Sequence, residues 1–203
     1  MKQELFQYLL SVIGIIVGVL FFCLLVARRR LSLKKIDWYN VFLYASVTFL
    51  FAVIFEIISD TLYLHIFGKY LWQYKVFPVH NGITTQLALF FWPLYGVYLY
   101  FLHRAFKVSM WNGLPIYIKG GLSGIDGPLL EFVLNSIFLV FYKTFFFYYV
   151  PNDLGHYTTL QVVPIYAICG MVLTYILYQL EKFKRNFLLP AVLYFLAVGI
   201  VYL

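Results

Sequence analysis

Six apolar runs, each close to the length of a membrane-spanning helix, constrain the fold of this chain more than any other feature. They cover residues 5–27, 38–66, 84–102, 129–149, 159–180 and 187–203. A helix needs about 20 apolar residues to cross the hydrocarbon of a bilayer. Only 11% of the 203 residues are charged, whereas soluble domains carry about 25%. The sequence therefore predicts an all-α integral membrane bundle of six transmembrane helices, forming one domain over residues 1–203.

The basic residues predict how this bundle is oriented. Most of the 15 Lys and Arg residues fall in the connections after the first, third and fifth segments. Cytoplasmic loops of membrane proteins are enriched in these two residue types. We therefore expect a multi-pass protein of the cytoplasmic (cell) membrane of a bacterium, with both termini outside. Because the net charge of +7 arises from these loops, it does not indicate a nucleic-acid partner.

Two carboxyl residues, Glu56 and Asp60, lie four positions apart in the second segment and so share one face of its helix. A charged residue at the centre of a membrane helix costs about 3 kcal/mol on insertion scales, so each needs a proton, a polar partner, an ion or a ligand. The predicted topology puts both near the outer edge of the membrane. We expect Glu56 to be a catalytic proton donor and Asp60 its partner.

Further polar and aromatic residues are expected on the same outer side, as candidates for substrate binding. They are Trp72, Tyr74, His80, Asn81, Asp153 and His156. Glu131 is a separate candidate, because Pro128 predicts that a helix begins there, and the helix dipole favours an acid in the first turn. Glu131 then either caps and packs this helix or belongs to a second polar pocket. We count it among the substrate-binding candidates.

Four interpretations of this polar cluster stay open from the residues alone. The carboxyl groups and histidines suit acid–base chemistry, a divalent metal held by His80, His156 and a carboxylate, or a transported cation or proton. The fourth interpretation is that Glu56 and Asp60 only hydrogen-bond across helices. Because HExxH, CxxC and paired HxH spacings are absent from the sequence, we predict no metal site and name no cofactor.

An internal repeat was sought, because many transporters contain one. An offset of 71 positions aligns Pro93 with Pro164, and an offset of 75 aligns Glu56 with Glu131 and Asp60 with Asn135. Two competing offsets with few identities do not establish a repeat.

Short motifs resemble those of small multi-pass membrane proteins of Gram-positive bacteria whose function is unassigned. They are Lys34-Lys35-Ile36-Asp37-Trp38, the acid late in the second segment, Glu131-Phe132, and Gly155-His156-Tyr157-Thr158. A second set, formed by Glu56, Asp60, Gly68, Trp72 and Tyr74, is similar to the acidic residues and aromatic turn of membrane-embedded carotenoid and terpene cyclases. The Pro-x-Glu-Glu element of the lycopene-cyclase group is absent, and Trp92-Pro93-Leu94-Tyr95 stands where it is sought.

These observations lead to two expectations of function. The first is a membrane protein that binds, and chemically alters, a lipid or isoprenoid at an outward-facing site near Glu56 and Asp60. The second is a non-catalytic substrate-binding or transport component for an ion, a metal or a small solute. The expected partners are membrane lipids and a lipid or small-molecule ligand. The sequence decides neither between enzyme and carrier nor on the oligomeric state.

Overall fold

The computed structural model describes residues 36–105 and 114–203, and these residues form five α-helices and four short strands. The helices are α1 (Trp38–Phe67), α2 (Ala88–Tyr100), α3 (Ile116–Tyr142), α4 (Val162–Leu180) and α5 (Leu188–Tyr202). The strands are β1 (Trp72–Tyr74), β2 (Pro78–Val79), β3 (Thr84–Thr85) and β4 (Phe147–Tyr149). A short π-helix, Phe101–Ala105, follows α2. The predicted first segment, 5–27, lies outside the described residues.

Three of these helices, α1, α3 and α4, are long and apolar enough to cross a membrane. The apolar helices α2 and α5 are shorter. The prediction of a mostly helical protein with candidate membrane spans is confirmed to that extent, while six spans are not supported by the described residues.

Helix α1 is bounded by the residues that its sequence supplies at either end. The Asp37 side chain accepts a hydrogen bond from the backbone N–H of Asn40 at 3.4 Å, and so caps the first turn. Gly68, with a φ of 68°, ends the helix in the left-handed conformation that suits glycine. The 30 residues between them form one helix without a break, about 45 Å long at 1.5 Å per residue.

Helix α3 corrects the predicted bounds of the fourth segment at both ends. It begins at Ile116 rather than after Pro128, so Lys119, expected in a loop, lies in its first turn and Glu131 lies in its interior. Pro128 is inside the helix, where its ring nitrogen cannot donate the usual hydrogen bond. The helix ends at Tyr142, and the aromatic stretch that follows it forms β4 instead of extending the helix to 149.

The helices associate as two pairs, α1 with α2 and α3 with α4, and α5 packs against α1. Each pair crosses at a glycine. A Cβ atom on Gly96 of α2 would lie 2.4 Å from the carbonyl oxygen of Tyr44 in α1. A Cβ atom on Gly120 of α3 would lie 2.4 Å from the Cα atom of Met171 in α4. Both crossings therefore require a residue without a side chain.

Strands β1 and β4 join the two helix pairs. They run antiparallel, with Gln73 opposite Tyr148 at the centre of the register. Two further hydrogen bonds extend this pairing symmetrically: the N–H of Lys75 donates to the carbonyl of Phe146, and the N–H of Val150 donates to the carbonyl of Leu71, both at 2.9 Å. The strands sit in an aromatic core with Phe146 and Phe147, and β2 and β3 pair with each other beside it.

Candidate functional site

Glu56 lies in the interior of α1 and is held by neutral donors from three other elements. Its carboxyl oxygens accept hydrogen bonds from the hydroxyl of Tyr74 in β1 and from Thr84 Oγ1 in β3, the latter at 2.7 Å. The indole of Trp92 in α2 is a third hydrogen-bonding neighbour. The side chain is buried. Residues of β1, β3 and α2 therefore all contact this one acid.

Glu131 lies in the interior of α3 and has the same kind of environment. It accepts hydrogen bonds from the Tyr149 hydroxyl at 2.8 Å, from Thr158 Oγ1 at 3.0 Å and from the hydroxyl of Tyr166. Tyr149 belongs to β4 and Tyr166 to α4. The two acids thus each combine one tyrosine of a strand, one threonine and one aromatic residue of the following helix.

One turn beyond each acid, a polar side chain holds the start of the adjoining strand. Asp60 Oδ1 accepts the backbone N–H groups of Leu71 and Trp72 at 2.6 and 3.3 Å. Asn135 Oδ1 accepts the N–H groups of Phe146 and Phe147 at 3.0 and 3.2 Å. Both side chains are fully buried. Asp60 therefore positions the start of β1, and its expected role as the chemical partner of Glu56 stays a prediction.

The matching contacts of Glu56 and Glu131, and of Asp60 and Asn135, show an internal repeat whose two halves are arranged with two-fold symmetry. Glu131, Asn135, Phe146, Phe147 and Tyr149 each lie 75 positions after Glu56, Asp60, Leu71, Trp72 and Tyr74, and repeat their contacts. The residues in the left-handed conformation that end α1 and α3, Gly68 and Lys143, are also 75 positions apart. After the next turn the offset is 74, which relates Thr84 to Thr158 and Trp92 to Tyr166. The offset of 75 considered from the sequence was correct in the first part of the repeat, and that of 71 does not match equivalent positions.

A cavity with two lobes connects the two acids. The α1/α4 lobe has a volume of about 70 Å³ and is lined by both Glu56 and Glu131. The α2/α3 lobe has a volume of about 390 Å³ and is lined by Glu131. Six residues line both lobes and mark where they meet: Tyr74, Trp92, Tyr95, Glu131, Phe147 and Tyr166. The internal repeat relates one lobe to the other, because it exchanges α1 with α3 and α2 with α4.

The site contains acids without basic partners. Within the described part of the chain, the hydrogen-bond donors to Glu56 and Glu131 are hydroxyl groups and an indole, not Lys, Arg or His. Burial raises the pKa of Tyr74 and Tyr149 well above 10, so both phenols remain O–H donors. The two carboxyl groups are near enough for the charge of one to act on the other. Such a pair is suited to holding and delivering a proton inside an apolar cavity.

The structure brings only some of the predicted site residues together. Glu56, Glu131, Trp72 and Tyr74 line the cavity, whereas the predicted loop residues have other surroundings.

His80 Nε2 lies 2.8 Å from the carbonyl oxygen of Ile200 in α5, and Asn81 sits in a left-handed turn. The ring of His156 stacks on Tyr148 with 4.1 Å between ring centroids. Asp153 accepts hydrogen bonds from Thr159 Oγ1 at 2.8 Å and from the N–H of Leu160 at 2.9 Å. The predicted outer cluster is therefore a set of separate turn contacts.

Three residues of the site were not predicted from the sequence, namely Thr84, Tyr149 and Thr158. The offset of 75 was the signal that could have found Tyr149, because it pairs Tyr74 with Tyr149 once Glu56 is paired with Glu131. In residues 36–105 and 114–203, His, Cys, Asp and Glu side chains do not form a group of three that could hold a metal ion.

Comparisons of this chain with protein-family models, with curated proteins and with solved structures found no match.

Proposed function

We propose that this is a multi-pass protein of the bacterial cell membrane that binds an uncharged lipid or isoprenoid in the central cavity, with Glu56 and Glu131 in contact with it. The single observation that carries this proposal is a pair of acids, Glu56 buried and Glu131 half-buried, that line one apolar and aromatic cavity and whose hydrogen-bond donors among the described residues are all neutral. Glu56 acts as the proton donor to the bound molecule. Asp60 positions β1, and through it Tyr74.

Membrane placement is supported by the three long apolar helices and by the outward faces of the bundle. Large hydrophobic side chains such as Phe141, Phe195 and Leu196 are exposed, and contiguous exposed apolar surface on this scale is unfavourable in water. A bilayer covers these faces. It also supplies lipid-soluble molecules directly to cavities that open between helices.

The charge of the site favours a neutral ligand. A fatty acid or a phosphate-bearing headgroup would bring a negative charge into the cavity, and the described residues that line it include no Lys, Arg or His to compensate that charge. Burying an uncompensated charge in an apolar environment is costly. A neutral molecule with a hydroxyl group or a carbon–carbon double bond instead offers a site that can accept a proton from Glu56.

The test is native mass spectrometry of the protein released from a mild detergent, combined with analysis of the lipids that copurify. We expect a defined neutral apolar molecule in the wild type. Glu56→Gln keeps the size and the hydrogen-bond acceptor of the side chain but cannot donate an acidic proton. We expect it to retain the unaltered substrate, which chromatography of the extracted lipid distinguishes from the wild-type molecule even though gain and loss of a proton leave the mass unchanged.

A carboxyl-to-amide change outside the cavity, Asp153→Asn, is the matched control and is expected to carry the wild-type molecule. The same bound molecule in wild type and Glu56→Gln, identical in mass and in chromatographic retention, would support a non-catalytic carrier of that molecule. Empty and identical spectra for all three proteins would contradict the proposed function.

A further inference from the structure

The two lobes of the cavity are equivalent positions of the internal repeat. Phe55 and Ala52 of α1 line the α1/α4 lobe, and Leu130 and Gly127 of α3, 75 positions later, line the α2/α3 lobe. The same holds for the partner helices, where Ile165 of α4 corresponds to Phe91 of α2. The cavity therefore extends from a shared centre toward two different gaps between helices.

Each lobe has its own acid at an equivalent place, and both acids lie close to the centre. An occupant that fills both lobes must be long and narrow, because the α1/α4 lobe, at about 70 Å³, has no room for a bulky group. The α2/α3 lobe is larger, at about 390 Å³, and holds the thicker part of such a molecule. A single unbranched or methyl-branched chain satisfies both volumes.

Two tyrosine hydroxyls and a carboxyl group form a polar cluster beside the α2/α3 lobe. Asp126 of α3 accepts hydrogen bonds from the hydroxyls of Tyr95 and Tyr98 of α2 at 2.7 and 2.8 Å, and both tyrosines line this lobe. The equivalent positions in the other lobe are Phe51, Cys169 and Val172. The α1/α4 lobe has the threonines Thr48 and Thr174 instead, so both lobes can hydrogen-bond the hydroxyl group of an otherwise apolar chain.

We propose that the cavity binds one molecule of a linear, uncharged long-chain alcohol that crosses the pseudo-two-fold axis and extends into both lobes. This inference rests on the proposed function and narrows its ligand to one chain per protein. Glu56 and Glu131 then contact the same chain at two points on either side of the axis.

The test uses the C20 alcohol geranylgeraniol as the probe, added to the full chain in detergent and counted by native mass spectrometry. We expect the wild type to bind one molecule. Phe55→Trp and Leu130→Trp enlarge equivalent side chains in the two lobes, and each is expected to lower the occupancy at least tenfold. Ala191→Trp lies in a separate groove formed with Phe42 and Phe195, and is the control expected to bind as the wild type does.

The number of geranylgeraniol molecules bound per wild-type protein does not depend on any variant, so it remains informative if a tryptophan variant fails to fold. Two molecules bound per protein would overturn the inference, because the lobes would then be separate sites. Binding that only one of the two lobe variants reduces would also overturn it, since the chain would occupy one lobe, while the proposed function would stand. A wild type that neither binds the probe nor releases a copurified molecule would overturn both.

Discussion

The two halves of this protein contain the same acid site in different surroundings. Helix α1 packs against both α2 and α5, and 61% of its most apolar stretch is buried, compared with 24% for α3. Yet Glu56 and Glu131 each accept hydrogen bonds from a strand tyrosine and a threonine of the following turn. The hydrogen-bond donors to each acid therefore come from its own half of the chain, and their arrangement does not depend on how the outer face of the helix is covered.

The largest expected effect tests whether the two acids are equally important to the fold. Glu56→Leu and Glu131→Leu each leave buried donors unpaired, which should lower the free energy of unfolding by about 3 kcal/mol. The amide variants Glu56→Gln and Glu131→Gln keep an acceptor oxygen and should each cost about 1 kcal/mol. Denaturant unfolding in detergent micelles measures all four, and a loss below about 1 kcal/mol for one leucine variant only would break the equivalence of the two sites.

The glycine crossings test whether the two helix pairs pack with equal closeness. Gly96→Ala and Gly120→Ala each place a Cβ atom 2.4 Å from backbone of the neighbouring helix, so we expect a loss of about 2 kcal/mol in each case. Gly121→Ala is the matched control, because a Cβ atom there meets nothing within 4 Å. It should leave stability unchanged or raise it by up to about 1 kcal/mol, through helix propensity. Equal stability of Gly120→Ala and Gly121→Ala would contradict this packing.

Asp60 and Asn135 are the sharpest difference between the halves. Asn135 Nδ2 donates to the carbonyl of Tyr157 at 2.9 Å, whereas Asp60 Oδ2 has no hydrogen-bond partner among the described residues. Asn135→Asp loses that donor and should lower the free energy of unfolding by about 1.5 kcal/mol. Asp60→Asn should be neutral or stabilising by up to about 1 kcal/mol. Thermal unfolding of both variants checks this, and the opposite order of stabilities would show that the carboxyl group of Asp60 is needed.

The smallest effect concerns pH and a turn that only the second half possesses. Burial opposes ionisation of Asp153, but the N–H of Leu160 and the hydroxyl of Thr159 outweigh it, and the pKa falls below its usual 3.8. A lowered pKa in the folded state gives stability that is present above pH 4 and is lost as the pH falls through the folded value. We expect the difference in thermal midpoint between wild type and Asp153→Asn to shrink between pH 5 and pH 3. A difference that stays constant over this range would exclude ionisation of the Asp153 carboxyl group as its source.

Much of the fold could be predicted from hydropathy, because long apolar runs specify helices regardless of their partners. The helix α1 lies within one residue of the predicted run 38–66, and its caps, Asp37 and Gly68, are local features. The start of α3 could not be predicted in this way, because Pro128 is also typical of a first turn, and only packing of Gly120 against α4 shows that the helix continues through it.

The site could be predicted in part. Glu56 stood out because an acid in an apolar helix is costly, and Tyr74 was named among its neighbours. Asp60 was given a chemical role, since spacing alone cannot distinguish a side chain that faces a cavity from one that accepts backbone N–H groups. Thr84 and Thr158 gave no signal, because threonines in turns are common and only the folded hairpins direct their hydroxyls at the acids.

The pairing of β1 with β4 has the form of an interface between two identical subunits. Opposite the central residue Gln73 stands Tyr148, its own counterpart in the repeat, and the flanking hydrogen bonds of Lys75 and Val150 are reciprocal in the same way. Isologous contacts of this kind are the rule in two-fold homodimers. The strand pairing therefore gives one polypeptide the internal symmetry of a homodimer, with one acid from each half facing a common cavity.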